Sequence, residues 1–216
     1  MKNKINNTRK CKVIQIKLSL NIYSVGKTCL LYQYVKNQFS QQYKATIGAD
    51  FLTKNIQKGE DILQLQIWDT AGTERYNSMG QNFYRNSEAC VLVFDLTVKD
   101  SFTNIDNWRK EFLTSLGPKD PDSFPFVLVG NKSDMKDDIK VTNEEIEAYC
   151  KEHNNMPYFA TSAKEDIGLD ETFNKVADLA YERVIKNEDS YVPDKPTFIK
   201  VTNEPQKKGC CLSKGN

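Results

Sequence analysis

The chain has 216 residues, 39% of them hydrophobic, and 30 Lys and Arg set against 29 Asp and Glu give a formal charge of +1. That length and apolar share suit one domain with a substantial core and exclude a disordered chain. The balanced charge argues against a general nucleic-acid binder, whose phosphate affinity needs clustered positive charge.

No apolar run approaches the roughly 20 residues that cross a bilayer. The longest, residues 89–94 and 126–130, have the length of buried strands. Residues 1–12 are polar and basic, without the apolar segment of a signal peptide. Cys11, Cys29, Cys90, Cys150 and the pair Cys210-Cys211 match neither a zinc site nor a compact disulfide framework. A reduced, cytosolic protein is expected.

In chain order, residues 13–22 alternate: Ile14, Ile16, Leu18, Leu20 and Ile22 interleave with Gln15, Lys17, Ser19 and Asn21. Such alternation suits a strand with one wet face. A helix is expected over 27–36, then strands over 49–57 and 62–68. Lys58-Gly59-Glu60-Asp61 between them reads as a hairpin turn, giving one antiparallel edge strand. A strand over 89–96 precedes a helix over 101–115, on which Phe102, Ile105, Trp108 and Phe112 recur at helical spacing. A strand over 124–130, a helix over 143–152 with Thr142 as N-cap, a strand over 158–161 and a helix over 169–186 complete the series. This is the βαβ rhythm of an α/β fold, a mostly parallel sheet with helices on both faces. Val192-Pro193, Lys195-Pro196 and Glu204-Pro205 punctuate the polar remainder. One domain over 1–187 and a flexible tail over 188–216 are expected.

Ser24-Val25-Gly26-Lys27-Thr28 is the second half of a phosphate-binding P-loop. Backbone amides and the following helix N-terminus hold phosphate there, the Lys reaches the β- and γ-phosphates, and the Thr hydroxyl binds Mg²⁺. Such a tripeptide occurs by chance in many surface turns. Trp68-Asp69-Thr70-Ala71-Gly72, however, follows an apolar strand and puts a carboxylate where open α/β sheets bind ligands. Asp69 there can hold Mg²⁺ through water, and Gly72 lets its amide approach a γ-phosphate. Asn131-Lys132-Ser133-Asp134 again follows an apolar strand. An Asp carboxylate accepts two hydrogen bonds from N1 and N2 of guanine, a pair that adenine cannot offer, and leaving it unmade is costly and so selective. Ser162-Ala163-Lys164 supplies a backbone amide for the base oxygen. Four such elements, each past a strand's C-terminal end, leave little room for four unrelated loops.

Tyr43-Lys44-Ala45-Thr46-Ile47-Gly48-Ala49-Asp50-Phe51 resembles the first switch of Rab small GTPases. Residues 65–72, Phe83-Tyr84-Arg85 and Val93-Phe94-Asp95-Leu96-Thr97 are further Rab-like stretches. Residues 45–54, Asp106-Asn107-Trp108-Arg109, Phe124-Pro125-Phe126 and residues 154–159 are most similar to the late-endosome and lysosome branch. The resemblance covers residues 26–186. It implies a P-loop NTPase small G domain, a six-stranded mostly parallel sheet with one antiparallel edge strand, that cycles between GTP and GDP. It implies metal ligands Thr28, Thr46 and Asp69, and catalytic roles for Lys27, Gly72 and Thr73. Nucleotide contacts fall on Ser24, Val25, Gly26, Lys27, Thr28, Cys29, Phe39, Tyr43, Thr46, Gly72, Asn131, Lys132, Asp134, Ser162, Ala163 and Lys164. Phe39 packs against the base, and Phe51, Trp68 and Tyr84 face effectors, with burial in the core as the alternative. The implied partners are GTP-state effectors, an exchange factor, a GTPase-activating protein, a prenylation escort and a GDP-dissociation inhibitor, met by a monomer. Its place is the cytoplasmic face of late endosome, lysosome or phagosome membranes.

The chain departs from that family at three places. The phosphate loop has Asn21 and Ser24 where the family has glycine, Tyr23 where a small residue is usual, and an entering stretch about four residues too long, in which a buried Lys17 would be expensive. Three explanations stand open: a diverged loop with weak nucleotide binding, an accommodated bulge, or a mis-joined coding segment. Thr73 replaces the Gln that orients attacking water, so slow intrinsic hydrolysis is expected. The Cys210-Cys211 pair, preceded by Lys207 and Lys208, resembles a double prenylation site, and two chains are what stable anchoring requires. Five residues follow it, more than is usual. The rivals are a pseudo-GTPase interaction module with impaired nucleotide binding and, more distantly, a P-loop kinase. The lone His153 is expected to be a solvated surface residue.

Overall fold

The computed structural model describes residues 8–17, 25–40, 49–58, 61–70, 87–118 and 120–189. Six strands, β1 (Thr8–Lys17), β2 (Ala49–Lys58), β3 (Asp61–Thr70), β4 (Ala89–Asp95), β5 (Phe126–Asn131) and β6 (Tyr158–Ala160), form one sheet in the order β2-β3-β1-β4-β5-β6. Only β2 and β3 run antiparallel among the pairs, in register from Ala49 opposite Thr70 to Lys58 opposite Asp61. That closing pair is what the expected hairpin requires; Gly59 and Glu60 themselves lie outside the described residues.

All seven residues of β4 and all six of β5 are buried, as continuous apolar runs must be when helices cover both faces. Alternation then assigns each residue to a face. Ala89, Val91, Val93, Val127 and Val129 pack with Leu30 and Leu31 of α1 (Lys27–Lys36) and with Phe173, Val176 and Ala180 of α5 (Leu169–Asp189). Cys90, Leu92, Phe94, Phe126 and Leu128 pack on the other face with Ile105 and Phe112 of α3 (Ile105–Leu116) and Ile146 of α4 (Asn143–Glu152).

The helix expected over 101–115 is two pieces, α2 (Lys99–Thr103) and α3, parted at Asn104. The carbonyl of Asp100 accepts from Thr103 Oγ1, from Asn104 Nδ2 and from the Asn104 amide. Side chains that bond back to the chain in this way compete with the helical ladder. Thr142 caps α4 as expected, in a reciprocal capping box with Glu145. β1 starts at Thr8, ahead of the alternating pattern read over 13–22, and lies in the interior of the sheet, parallel to β3 and β4; residues 18–22 of that pattern lie outside the described residues.

His153 is not the solvated residue expected. It caps the C-terminus of α4, with its side chain only 15% exposed, its ring 4.3 Å from that of Tyr149 and its Nε2 3.7 Å from Asp106 Oδ1. Burial first, then the neighbouring Arg109 guanidinium, hold its pKa below the usual range, and Asp106 works in the opposite sense.

Candidate functional site

The C-terminal ends of β3, β5 and β6 and the N-terminus of α1 meet at one edge of the sheet, where Asn131 joins α1 to the ends of β5 and β6. Its Nδ2 donates to the carbonyl of Val25 at 2.9 Å, while its Oδ1 accepts from Ala163 N at 3.3 Å and from Thr161 Oγ1 at 3.4 Å. One buried amide thus ties the start of α1 to the loops after β5 and β6. Gly26, the N-cap of α1, has φ 83° and ψ 25°, a left-handed conformation that favours glycine. A Cβ there would come within 2.6 Å of Asn131 Nδ2, so the close approach itself needs glycine.

Past Gly26, the first turn of α1 faces the end of β3. Lys27 is buried with its Nζ 3.8 Å from Asp69 Oδ1, and Asp69 is 1% exposed. The Thr28 hydroxyl donates to Asp69 Oδ2 in a short hydrogen bond. A hydroxyl and a carboxylate from elements 41 residues apart are therefore in contact beside an ammonium. Such a hard-oxygen pair suits Mg²⁺, which is held by one or two protein oxygens plus phosphates and water. Helix-terminal amides and the Lys27 ammonium suit the phosphates. Cys29 follows with its thiol 3.7 Å from the Ser40 carbonyl, and burial, then the Asp69 carboxylate, raise its pKa.

At the other end, Ser162 Oγ donates to Asp134 Oδ1 at 2.7 Å and accepts from the Glu165 amide at 3.0 Å. Lys164 Nζ lies 3.9 Å from Asp134 Oδ2. Paired hydrogen bonds between Ser162 and Ile167, 3.1 and 3.0 Å, close the loop that carries Ala163 and Lys164. The carboxylate is thus fixed through one oxygen, with acceptor capacity left for the donor edge of a base. Lys132 has φ 66° and sends its Nζ to 2.6 Å from Oδ2 of the wholly buried Asp95. Asp95 carries no role in the sequence reading beyond its Rab-like context, because nothing in local spacing pairs it with a lysine 37 positions on.

Phe39 is exposed at 38%, just past the C-cap Asn37 of α1. Phe51 is 43% exposed, its ring 5.1 Å from that of Trp68, which is partly buried and packs against the core on the α3 face. Asp50, beside Phe51, accepts from Tyr32 Oη at 3.0 Å, a bond that raises the tyrosine's pKa and ties α1 to the start of β2. Ser24, Tyr43, Thr46, Gly72, Thr73, Tyr84, Cys210 and Cys211 lie outside the described residues, as do Asn21 and Tyr23.

The profile of the Ras family matches residues 20–182, beginning inside the stretch where the phosphate loop departs from the family pattern. The Ras-related protein Rab-7a of Dictyostelium discoideum is 48% identical over 204 residues, 94% of this chain and 98% of that protein. The GTP-binding protein yptV5 of Volvox carteri is 45% identical over 206 residues, 95% of this chain and all of that protein. The Ras-related protein Rab7 of Pisum sativum is 48% identical over 188 residues, 86% of this chain and 90% of that protein. By this profile and these relatives, the chain belongs to the Ras family of small GTPases, in the Rab branch beside the Rab7 proteins, and takes GTP and GDP with Mg²⁺.

Proposed function

We propose that the chain is a Rab GTPase regulating traffic in the late endosomal and phagosomal–lysosomal pathway, working on the cytoplasmic face of those membranes. The observation that carries this is the Thr28–Asp69 contact at the start of α1, which Asn131 ties through Val25 to the loop that holds Asp134 through Ser162, in a chain similar to Rab7 proteins over most of its length. The pseudo-GTPase rival finds no support in the family or in the Rab7 relatives. A kinase is set aside by the same family assignment. As a Rab it works through effectors and GTPase regulators. The exchange factor, the GTPase-activating protein, the prenylation escort and the dissociation inhibitor are our reading of which ones it meets. Thr46 and Gly72 are the expected sensors of the γ-phosphate, ordering the switches in the GTP state.

Intrinsic hydrolysis is slow in this reading, because Thr73 is too short to orient water. Single-turnover hydrolysis of bound GTP should run at least about tenfold faster in Thr73→Gln than in the wild type; equal rates would refute it. The G domain ends near residue 187, and the rest is a tail anchored through Cys210 and Cys211. The double variant Cys210→Ser/Cys211→Ser should move the chain from late-endosomal membranes into the soluble fraction of expressing cells, since loss of both prenyl chains leaves no stable hold. Retention on those membranes by the double variant would overturn the anchoring proposal.

A further inference from the structure

Asp95 ends β4, directly opposite Asn131 in the parallel register of β5, and is fully buried. A buried carboxylate is stable only when both oxygens are compensated. Oδ1 accepts from the Thr97 amide at 2.9 Å and from Thr97 Oγ1 at 2.7 Å. Oδ2 accepts no hydrogen bond among the described residues, and its compensation is the ammonium of Lys132 at 2.6 Å. The backbone is held as well: Asp95 N donates to Ser101 Oγ at 3.0 Å, and the Ser101 hydroxyl faces the carbonyls of Val98 at 2.6 Å and of Asp95 at 3.0 Å. Leu96 N donates to the Asn131 carbonyl at 3.0 Å, which fixes the start of the Lys132 side chain relative to the carboxylate.

Lys132 is the more exposed member of this pair: it follows Asn131 in a left-handed turn, is 35% exposed, and carries its ammonium on a flexible four-carbon stem. Asn131 before it and Asp134 two positions after it are held by the loops after β5 and β6 and by Val25. We infer that Asp95 is a positioning residue for nucleotide recognition: oriented by Thr97, it draws the Lys132 ammonium inward and lays the lysine stem along the rim between Asn131 and Asp134. The base would then meet a preset apolar stem instead of a lysine that must be ordered on binding, which slows nucleotide release.

The proposal rests on guanine-nucleotide binding, and two measurements separate its failure from failure of that reading. In nucleotide-free protein, Asp95→Asn should raise the rate of Lys132 acetylation by acetic anhydride several-fold, read by mass spectrometry against the exposed Lys164 as internal standard. In loaded protein, Asp95→Asn and Lys132→Met should each speed release of fluorescent GDP about tenfold. The double variant should release no faster than Lys132→Met alone. A purely structural Asp95 would give unchanged Lys132 labelling and multiplying effects on release, and either result overturns the inference. Should Asp95→Asn fold poorly, Thr97→Val keeps it testable. That variant removes the hydroxyl bond to Asp95 Oδ1 and leaves the amide bond, and it should speed release about threefold in the wild type and not at all beside Lys132→Met; an undiminished effect there would also overturn it.

Discussion

Asp134→Asn is expected to lower GDP affinity by roughly 10²- to 10³-fold and to shift preference toward xanthosine diphosphate. The carboxylate is an acceptor on both oxygens, and guanine presents two donors, N1–H and the N2 amino group. With Oδ1 already fixed by the Ser162 hydroxyl at 2.7 Å, the side chain is aimed before the base arrives and little ordering is left for binding. An amide keeps the shape but turns one acceptor into a donor that faces the N2 amino group, so one hydrogen bond is lost and a donor is left against a donor. Xanthine carries an oxygen at that position and accepts from the new amide. Competition titrations of GDP and xanthosine diphosphate against a fluorescent nucleotide measure both changes. Unchanged GDP affinity, or a loss with no gain for the xanthine nucleotide, would show that Asp134 does not read the base edge. The fold should be untouched, because Asp134 is a loop residue held by Ser162, with Lys164 more distant.

Much of this site is legible in the sequence because each motif stands next to a strand whose burial is written in consecutive apolar residues. The run from Ala89 to Phe94 and that from Phe126 to Gly130 can be nothing but interior strands. The residues after them, Asp95 and Asn131, therefore have to emerge at the same edge. What is not legible is which side chains meet across that edge. Spacing gives no sign that Asn131 reaches back to Val25, 106 residues earlier, or that Asp95 takes the Lys132 ammonium. The same limit explains His153, whose charged neighbours in sequence suggest solvent. Asp106 and Arg109, from a helix more than 40 residues away, instead enclose it. The break at Asn104 was missed for a different reason: apolar spacing from Phe102 to Phe112 is helical throughout, and the competing bonds to the Asp100 carbonyl are local and polar. At β1 the alternating run is legible only from Val13, whereas the pairing with β3 begins at Thr8, where the sequence Thr8-Arg9-Lys10 is too polar to announce a strand.

Thr28→Val should abolish the slowing of GDP release by Mg²⁺. In the wild type, release with Mg²⁺ is expected to be roughly 10²- to 10³-fold slower than in EDTA, the scale on which a metal stabilises phosphate charge. Valine matches the threonine in shape and removes one oxygen, which in this fold is bonded to Oδ2 of the buried Asp69. Loss of that single bond costs about 1 kcal/mol of stability, too little to unfold the domain. Its loss as a ligand is larger, because Mg²⁺ demands near-ideal octahedral geometry and is held by only one or two protein oxygens beside phosphates and water. Release by Thr28→Val in Mg²⁺ should therefore match its own rate in EDTA, while Asp69→Asn, acting through water, should keep part of the metal effect. A Thr28→Val protein still slowed tenfold or more by Mg²⁺ would mean that the ion is held without this hydroxyl, and that the contact between α1 and the end of β3 is structural and not part of the metal site.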